Sequence, residues 1–176
     1  MPNAVDSVSL LDVDPVLLTA IVQGVNGCLT MCRARADCVG VSKVPTSDPG
    51  SVTGLIGVHG DVSGFITLNL PEKAAVAVVG GLAGERFAGL DSEVVDGVGE
   101  MTNIIAGGIK KRLLGTPWAF RHVTVPSVIV GHSYQIAYAT GLQYLAATFE
   151  HDDPDSVIYD DRVFRVALSL MRLERG

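Results

Sequence analysis

The stretch Asp91–Leu114 reads DSEVVDGVGEMTNIIAGGIKKRLL. Its apolar residues recur at helical spacing. Projected at about 100° per residue, Val94, Val98, Met101, Ile105 and Ile109 share one face, flanked by Val95, Ala106 and Leu113. That face is expected to be core. Asp91 or Ser92 can cap the start, and Glu93 suits the positive end of the helix dipole. Lys110, Lys111 and Arg112 fill the last turn, and Gly115 followed by Pro117 ends the helix. Nearly opposite the apolar face, Asp96, Glu100, Asn103, Gly107 and Lys111 form a narrow stripe of helix-surface neighbours. Ile104 is expected to point towards this stripe rather than the core. Gly99, Gly107 and Gly108 lie inside the helix, where each costs roughly 1 kcal/mol relative to Ala. Close approach of another backbone is a sufficient reason for them. On spacing alone the stripe reads either as a solvated face with one stray apolar residue or as a docking surface.

The elements around this helix come in an order that defines a fold class. Asp14 followed by Pro15 opens a helix to about Cys32, with Val16, Leu17, Ile21, Val25, Leu29 and Cys32 at helical spacing. Residues 1 to 13 are expected to be a flexible N-terminus, with one domain over 14–176. Val39–Val44 reads as a short strand, and Pro45–Ser51 as a loop. Val52–His59 and Val62–Leu70 read as two strands joined by the tight turn Gly60-Asp61. Pro71-Glu72 opens a helix ending near Gly80–Gly84, and Glu85–Leu90 connects it to the main helix. Phe120–Val125 and Ser127–Val130 are β-rich on either side of Pro126, which marks an edge or a bend. Tyr134–Thr140 and Leu142–Glu150 read as further strands, and Val163–Met171 as a strand or a terminal helix. Strands in succession, without strict βαβ alternation, give an α+β fold: a single domain, one mostly antiparallel sheet with the long helices packed on one face.

Composition excludes several functions. The chain has 176 residues, 48% of them hydrophobic, and a net charge of −6. That suffices for one domain with a real core. No basic run suits nucleic acid or an anionic membrane surface. The N-terminus lacks the pattern of a signal peptide, and the longest small-and-apolar run, Ala74–Gly84, is too short to span a bilayer. A soluble cytoplasmic protein is the expectation. The three cysteines, Cys28, Cys32 and Cys38, read as buried or half-buried free thiols. No His or fourth Cys follows at ligand spacing, so no metal site is expected. The acidic stretch His151–Asp161 lacks the spacing of a calcium loop. GGLAGE at 80–85 lacks the ending of a phosphate loop and follows a helix rather than preceding one. Ser63 sits in no GxSxG frame, and the histidines at 59, 122, 132 and 151 have no motif spacing, which argues against an unrelated hydrolase.

One pattern goes further. Asp96, three residues, Glu100, two residues, Asn103 and then 22 residues to Pro126 resembles the phosphatase motif of the CheC/CheX/FliY family. The surrounding wording resembles CheX: GDVSG at Gly60–Gly64, GEMTNIIAGG at Gly99–Gly108 and PSVIVG at Pro126–Gly131. The resemblance is close over roughly Val52–Gly131. The first helix has no Glu three residues before Asn26, so one active helix is expected, the CheX-like state.

The resemblance implies a phosphatase acting on the phospho-aspartate of a CheY-like response-regulator receiver domain. A carboxamide offers both a donor and an acceptor and can hold an attacking water, a role that falls to Asn103. The family's role for the Glu, engaging the receiver's Lys, falls to Glu100. Asp96, Ile104, Gly107 and Lys111 are the expected partner contacts, and Pro126 shapes the backbone beside the helix. No cofactor is expected on this chain, the Mg2+ belonging to the receiver. A homodimer is expected from the CheX-like members. The alternative within the same fold is a non-catalytic adaptor that binds a receiver or a flagellar-switch component.

Overall fold

The computed structural model describes residues 12–46, 50–132, 134, 136, 140–153 and 155–172. The chain runs α1 (Pro15–Met31), β1 (Ala36–Ser42), β2 (Val52–Gly60), β3 (Val62–Leu70), α2 (Glu72–Ala83), α3 (Ser92–Leu113), β4 (Phe120–Val123), β5 (Ser127–Val130), β6 (Gln143–His151) and β7 (Val163–Arg172). A short 3-10 turn, Tyr159–Asp161, precedes β7.

The strands form one seven-stranded sheet in the order β1-β6-β7-β3-β2-β4, with β5 also paired to β2. Every pairing is antiparallel. The hairpin β2–β3 is in unbroken register from Val52↔Leu70 to His59↔Ser63, as the tight turn requires. Side chains alternate across each strand. Ile66, Leu68 and Leu70 of β3 are buried in the main core together with the apolar stripes of all three helices. The other parity of the sheet carries a smaller cluster of Tyr144, Ala146 and Ala167. It also carries a buried polar network. Asn69 Nδ2 donates to Thr53 Oγ1 (2.8 Å), and Asn69 Oδ1 accepts from the backbone N–H of Gly50 (3.1 Å). The Tyr134 hydroxyl is bonded to Thr53.

The helix ends follow local chemistry. Asp14 caps α1, its carboxylate accepting from the N–H of Val16 (2.9 Å) and Leu17 (3.4 Å). The second oxygen of the same carboxylate accepts from Trp118 Nε1 (2.7 Å), tying α1 to the segment after α3. Asp91 caps α3 by accepting from Val94 N–H (2.9 Å). α2 ends at Gly84, whose φ of 76° is left-handed and suits glycine.

The α+β architecture is the expected one, with some local differences. β1 begins at Ala36 rather than Val39, because the chain turns at Arg33 (φ 54°) and a bulge between Cys38 and Gly40 absorbs Val39. Val163–Arg172 is a strand, paired on both sides by β3 and β6. The strand expected at 134–140 falls largely outside the described residues; Tyr134, Ile136 and Thr140 are not in a strand. Cys28 and Cys32 are buried, but Cys38 is exposed on the edge strand β1. The N-terminal residues 1–11 lie outside the described residues. Asp12 and Val13 are held, the Asp12 carbonyl accepting from Lys43 Nζ (2.6 Å) and Val13 packing on the core.

Candidate functional site

α3 is the central element of the helical layer. Its buried face is the expected one: Val94, Val98, Met101, Ile105, Ile109 and Leu113 are each no more than 1% exposed. It sits on β2 where Gly54 leaves room. Thr102, fully buried, donates Oγ1–H to the Val98 carbonyl (2.7 Å), and a Cβ on Gly54 would overlap its side chain. A mid-strand glycine is the sequence signal of such a close approach, and the pattern of the chain alone did not attach it to Thr102.

α1 and α3 cross at two glycines. A Cβ on Gly108 would lie 3.0 Å from Gly24 Cα, and one on Gly24 would lie 3.1 Å from the Ile105 carbonyl oxygen. Gly97, which the helical reading passed over, faces α2, where a Cβ would overlap Val79. Gly99 faces β5, where a Cβ would lie 3.5 Å from Val128 Cγ2 and 3.9 Å from Pro126 Cγ. Gly97 and Gly108 therefore serve close packing within the chain, while at Gly99 a Cβ would make only ordinary contacts with β5. Gly107 differs: among the described residues, and apart from its own helical backbone and chain neighbours, nothing lies within 4 Å of the position its Cβ would take.

The polar stripe is intact. Asp96, Glu100, Asn103, Gly107 and Lys111 are all exposed. Glu100 and Asn103 are three residues apart and so adjacent on the helix surface. Among the described residues the two salt bridges are Lys73–Asp161 and Arg162–Glu150, both 2.7 Å and both away from this stripe. The side chains of Glu100 and Asn103 are thus free to meet something outside the chain. Ile104 is a correction: it is half-buried and packs against the margin of the core instead of standing clear on the stripe. Pro126 makes the bend between β4 and β5 and stands beside α3 at the level of Gly99, next to the Glu100 turn.

Beneath this part of α3 lies a thiol pair. Cys28 Sγ sits 3.9 Å from the Met101 carbonyl, to which it donates. The hydrogen bond with Cys32 pushes the Cys28 thiol well up, and burial and the nearby Cys32 and Glu100 charges add to this. Cys28 stays protonated behind the site. Among the described residues no group of three or more His, Cys, Asp or Glu side chains is placed to hold a metal ion. No described helix is long and apolar enough to cross a membrane.

Among the described residues the site is an exposed helix face. A carboxamide beside a carboxylate on such a face suits a cleft presented by a macromolecule.

The fold is that of the chemotaxis proteins built on this three-helix, antiparallel-sheet plan. A CheX from Vibrio vulnificus is similar, with TM-score 0.74 and 24% identity over 88% of this chain and 98% of that one. A CheC-like superfamily protein from a Shewanella species has TM-score 0.74 and 24% identity, covering 90% of this chain and 99% of that one. The CheX of a CheX–CheY–BeF3–Mg2+ complex from Borrelia burgdorferi has TM-score 0.66 and 23% identity, covering 88% and 97%. No curated protein matches the chain in sequence. The family model for the chemotaxis phosphatase CheX matches residues 52–150, more than half of the chain and the whole of α3 with its motif. The chain belongs to the CheX family.

Proposed function

We propose that this protein is a phosphatase for the phospho-aspartate of a CheY-like receiver domain, and that α3 carries the reaction. The observation that supports this most strongly is the Glu100/Asn103 pair, exposed side by side on a buried helix's outer face with no salt bridge among the described residues. Membership of a chemotaxis phosphatase family and the fold's likeness to a CheX solved with CheY support it further.

An acyl phosphate is already reactive, so the chain must mainly align a water in line with phosphorus. Asn103 does this: its carboxamide oxygen accepts a hydrogen bond from the water while its NH2 donates, which fixes the water's orientation. Glu100 is negative and would repel the phosphoryl group unless a cation stood between them. Its partner is the receiver's Lys, so Glu100 sets register and shares the charge of that Lys. The Mg2+ that screens the phosphoryl oxygens is the receiver's. Asp96, Gly107 and Lys111 contact the receiver along the same stripe, with Ile104 at its edge. Pro126 holds the neighbouring backbone. The protein acts in the cytoplasm as a homodimer.

The test is a panel of receiver domains phosphorylated in Mg2+, followed for loss of phosphoryl label. Faster loss in the presence of the protein supports the enzyme and names its partner. Binding without acceleration selects the adaptor reading instead.

A further inference from the structure

Beside the polar stripe stands an apolar feature that the motif does not include. The turn Thr124-Val125-Pro126 is pinned to β2: Thr124 N–H donates to the Gly57 carbonyl (2.9 Å), and Gly57 N–H donates to Thr124 Oγ1 (2.9 Å). Thr124 Oγ1 in turn donates to the Val125 carbonyl (3.1 Å). Pro126 fixes its own φ, and with Val128 it seats the turn on α3 at Gly99, the residue before Glu100. Held this rigidly, Val125 is 85% exposed. It is not alone. Val123 is paired with the core residue Val58 and Val130 with the core residue Val52, so both lie on the face of the sheet that carries α3, and both are exposed. A single exposed Val is ordinary. Three exposed valines on β4, β5 and the clamped turn between them, the strands that run beside α3, make a preformed apolar shelf next to the Glu100 turn.

We propose that Val125 is a partner-specificity residue, docking against an apolar patch that borders the receiver's phosphorylation site while α3 enters the site itself. This rests on the receiver-phosphatase reading and adds to it the surface that selects the partner. A rigid side chain loses little conformational freedom on binding, so its burial goes into affinity. Val125 touches no reacting atom. Its contact is the same in the ground and transition states, and it sets KM and leaves kcat alone.

The experiment compares the parent protein with Val125→Ser, Val125→Asp and Asn103→Ala. The substrate is a receiver that the parent dephosphorylates, charged with acetyl phosphate in Mg2+. Initial rates are read across receiver concentration, with oligomeric state by light scattering and fold by circular dichroism. Val125→Ser is expected to raise KM severalfold and Val125→Asp about tenfold or more, with kcat within twofold and an unchanged spectrum. Asn103→Ala is expected to do the converse, losing kcat. KM within twofold of the parent in both Val125 variants overturns the proposal while leaving the phosphatase reading standing. So does a loss of kcat alone, or a change of oligomeric state without a change of KM, which would make the shelf a contact between copies. If the parent neither binds nor dephosphorylates any receiver, the reading and the proposal fall together.

Discussion

Replacing Gly107 by Ala separates the two demands on α3. The position is mid-helix, with no left-handed φ and nothing within 4 Å of the would-be Cβ. An Ala there gains helix propensity, about 1 kcal/mol, and meets no steric cost within the chain. For a domain of this size that is a rise in Tm of roughly 2–4 °C. Gly107 also lies four residues beyond Asn103 on the exposed stripe, so in the proposed complex the added methyl would project into the partner. Overfilling a close contact costs on the order of 1–3 kcal/mol, or roughly five- to 150-fold in KM for the phosphorylated receiver. The variant should therefore be more stable and less effective. Gly108→Ala is the control. Its Cβ lies 3.0 Å from Gly24 Cα, and backbone cannot yield as a side chain does. The same gain of about 1 kcal/mol is set against an overpacking cost of roughly 2–3 kcal/mol, so Tm should fall. Calorimetry and receiver kinetics on the two variants decide the matter. A Gly107→Ala protein that is more stable with unchanged KM would refute the placing of Gly107 in the interface. A less stable one would refute the packing argument itself.

Three further outcomes follow from the structure. Glu100→Ala should weaken receiver engagement and leave Tm within a degree or two, since Glu100 is exposed and holds no salt bridge among the described residues; titration with a beryllofluoride-activated receiver checks this, and unchanged affinity would remove Glu100 from the interface. Asp14→Ala removes both the cap of α1 and the acceptor of the Trp118 indole, and should lower stability by about 1–3 kcal/mol, read by denaturant unfolding. Burial holds the His151 imidazole below its usual range, against the opposing pull of Asp153 and Asp152. The unfolded chain then binds the extra proton first, so this contribution is full above about pH 6.5 and is lost as pH falls through that value toward the folded pKa. Tm measured from pH 7.5 to 5.5 should fall less steeply in His151→Leu than in the parent.

Much of the fold was legible because the relevant signals are local. Asp14-Pro15 and Asp91 cap their helices as their side chains dictate, and Gly60-Asp61 closes the hairpin whose register runs unbroken to Leu70. The α3 stripe was legible because helical periodicity alone separates Glu100 and Asn103 from Val98, Met101 and Ile105. What periodicity does not carry is the identity of the neighbour. Gly99, Gly107 and Gly108 looked alike in sequence, yet Gly99 seats Pro126 and Val128, Gly108 seats α1, and only Gly107 is open. Gly97 and the Gly54–Thr102 contact were missed for the same reason: they record long-range packing. Ile104 projects close to the stripe on a helical wheel, but the packed surroundings draw it against the core margin. β1 starts early because a tight turn at Arg33 and a bulge at Val39 change the alternation on which the strand reading relied.

The central claim is that Asn103 positions the attacking water, and Asn103→Ala tests it most directly. Asn103 is exposed, so the substitution leaves the core of α3 untouched. The measurement pairs single-turnover loss of phosphoryl label from a phosphorylated receiver in Mg2+ with the affinity for the same receiver in its beryllofluoride form. Loss of a hundredfold or more in rate, with affinity within a few fold and an unchanged Tm, is the expected result. Equal turnover by variant and parent would contradict the account.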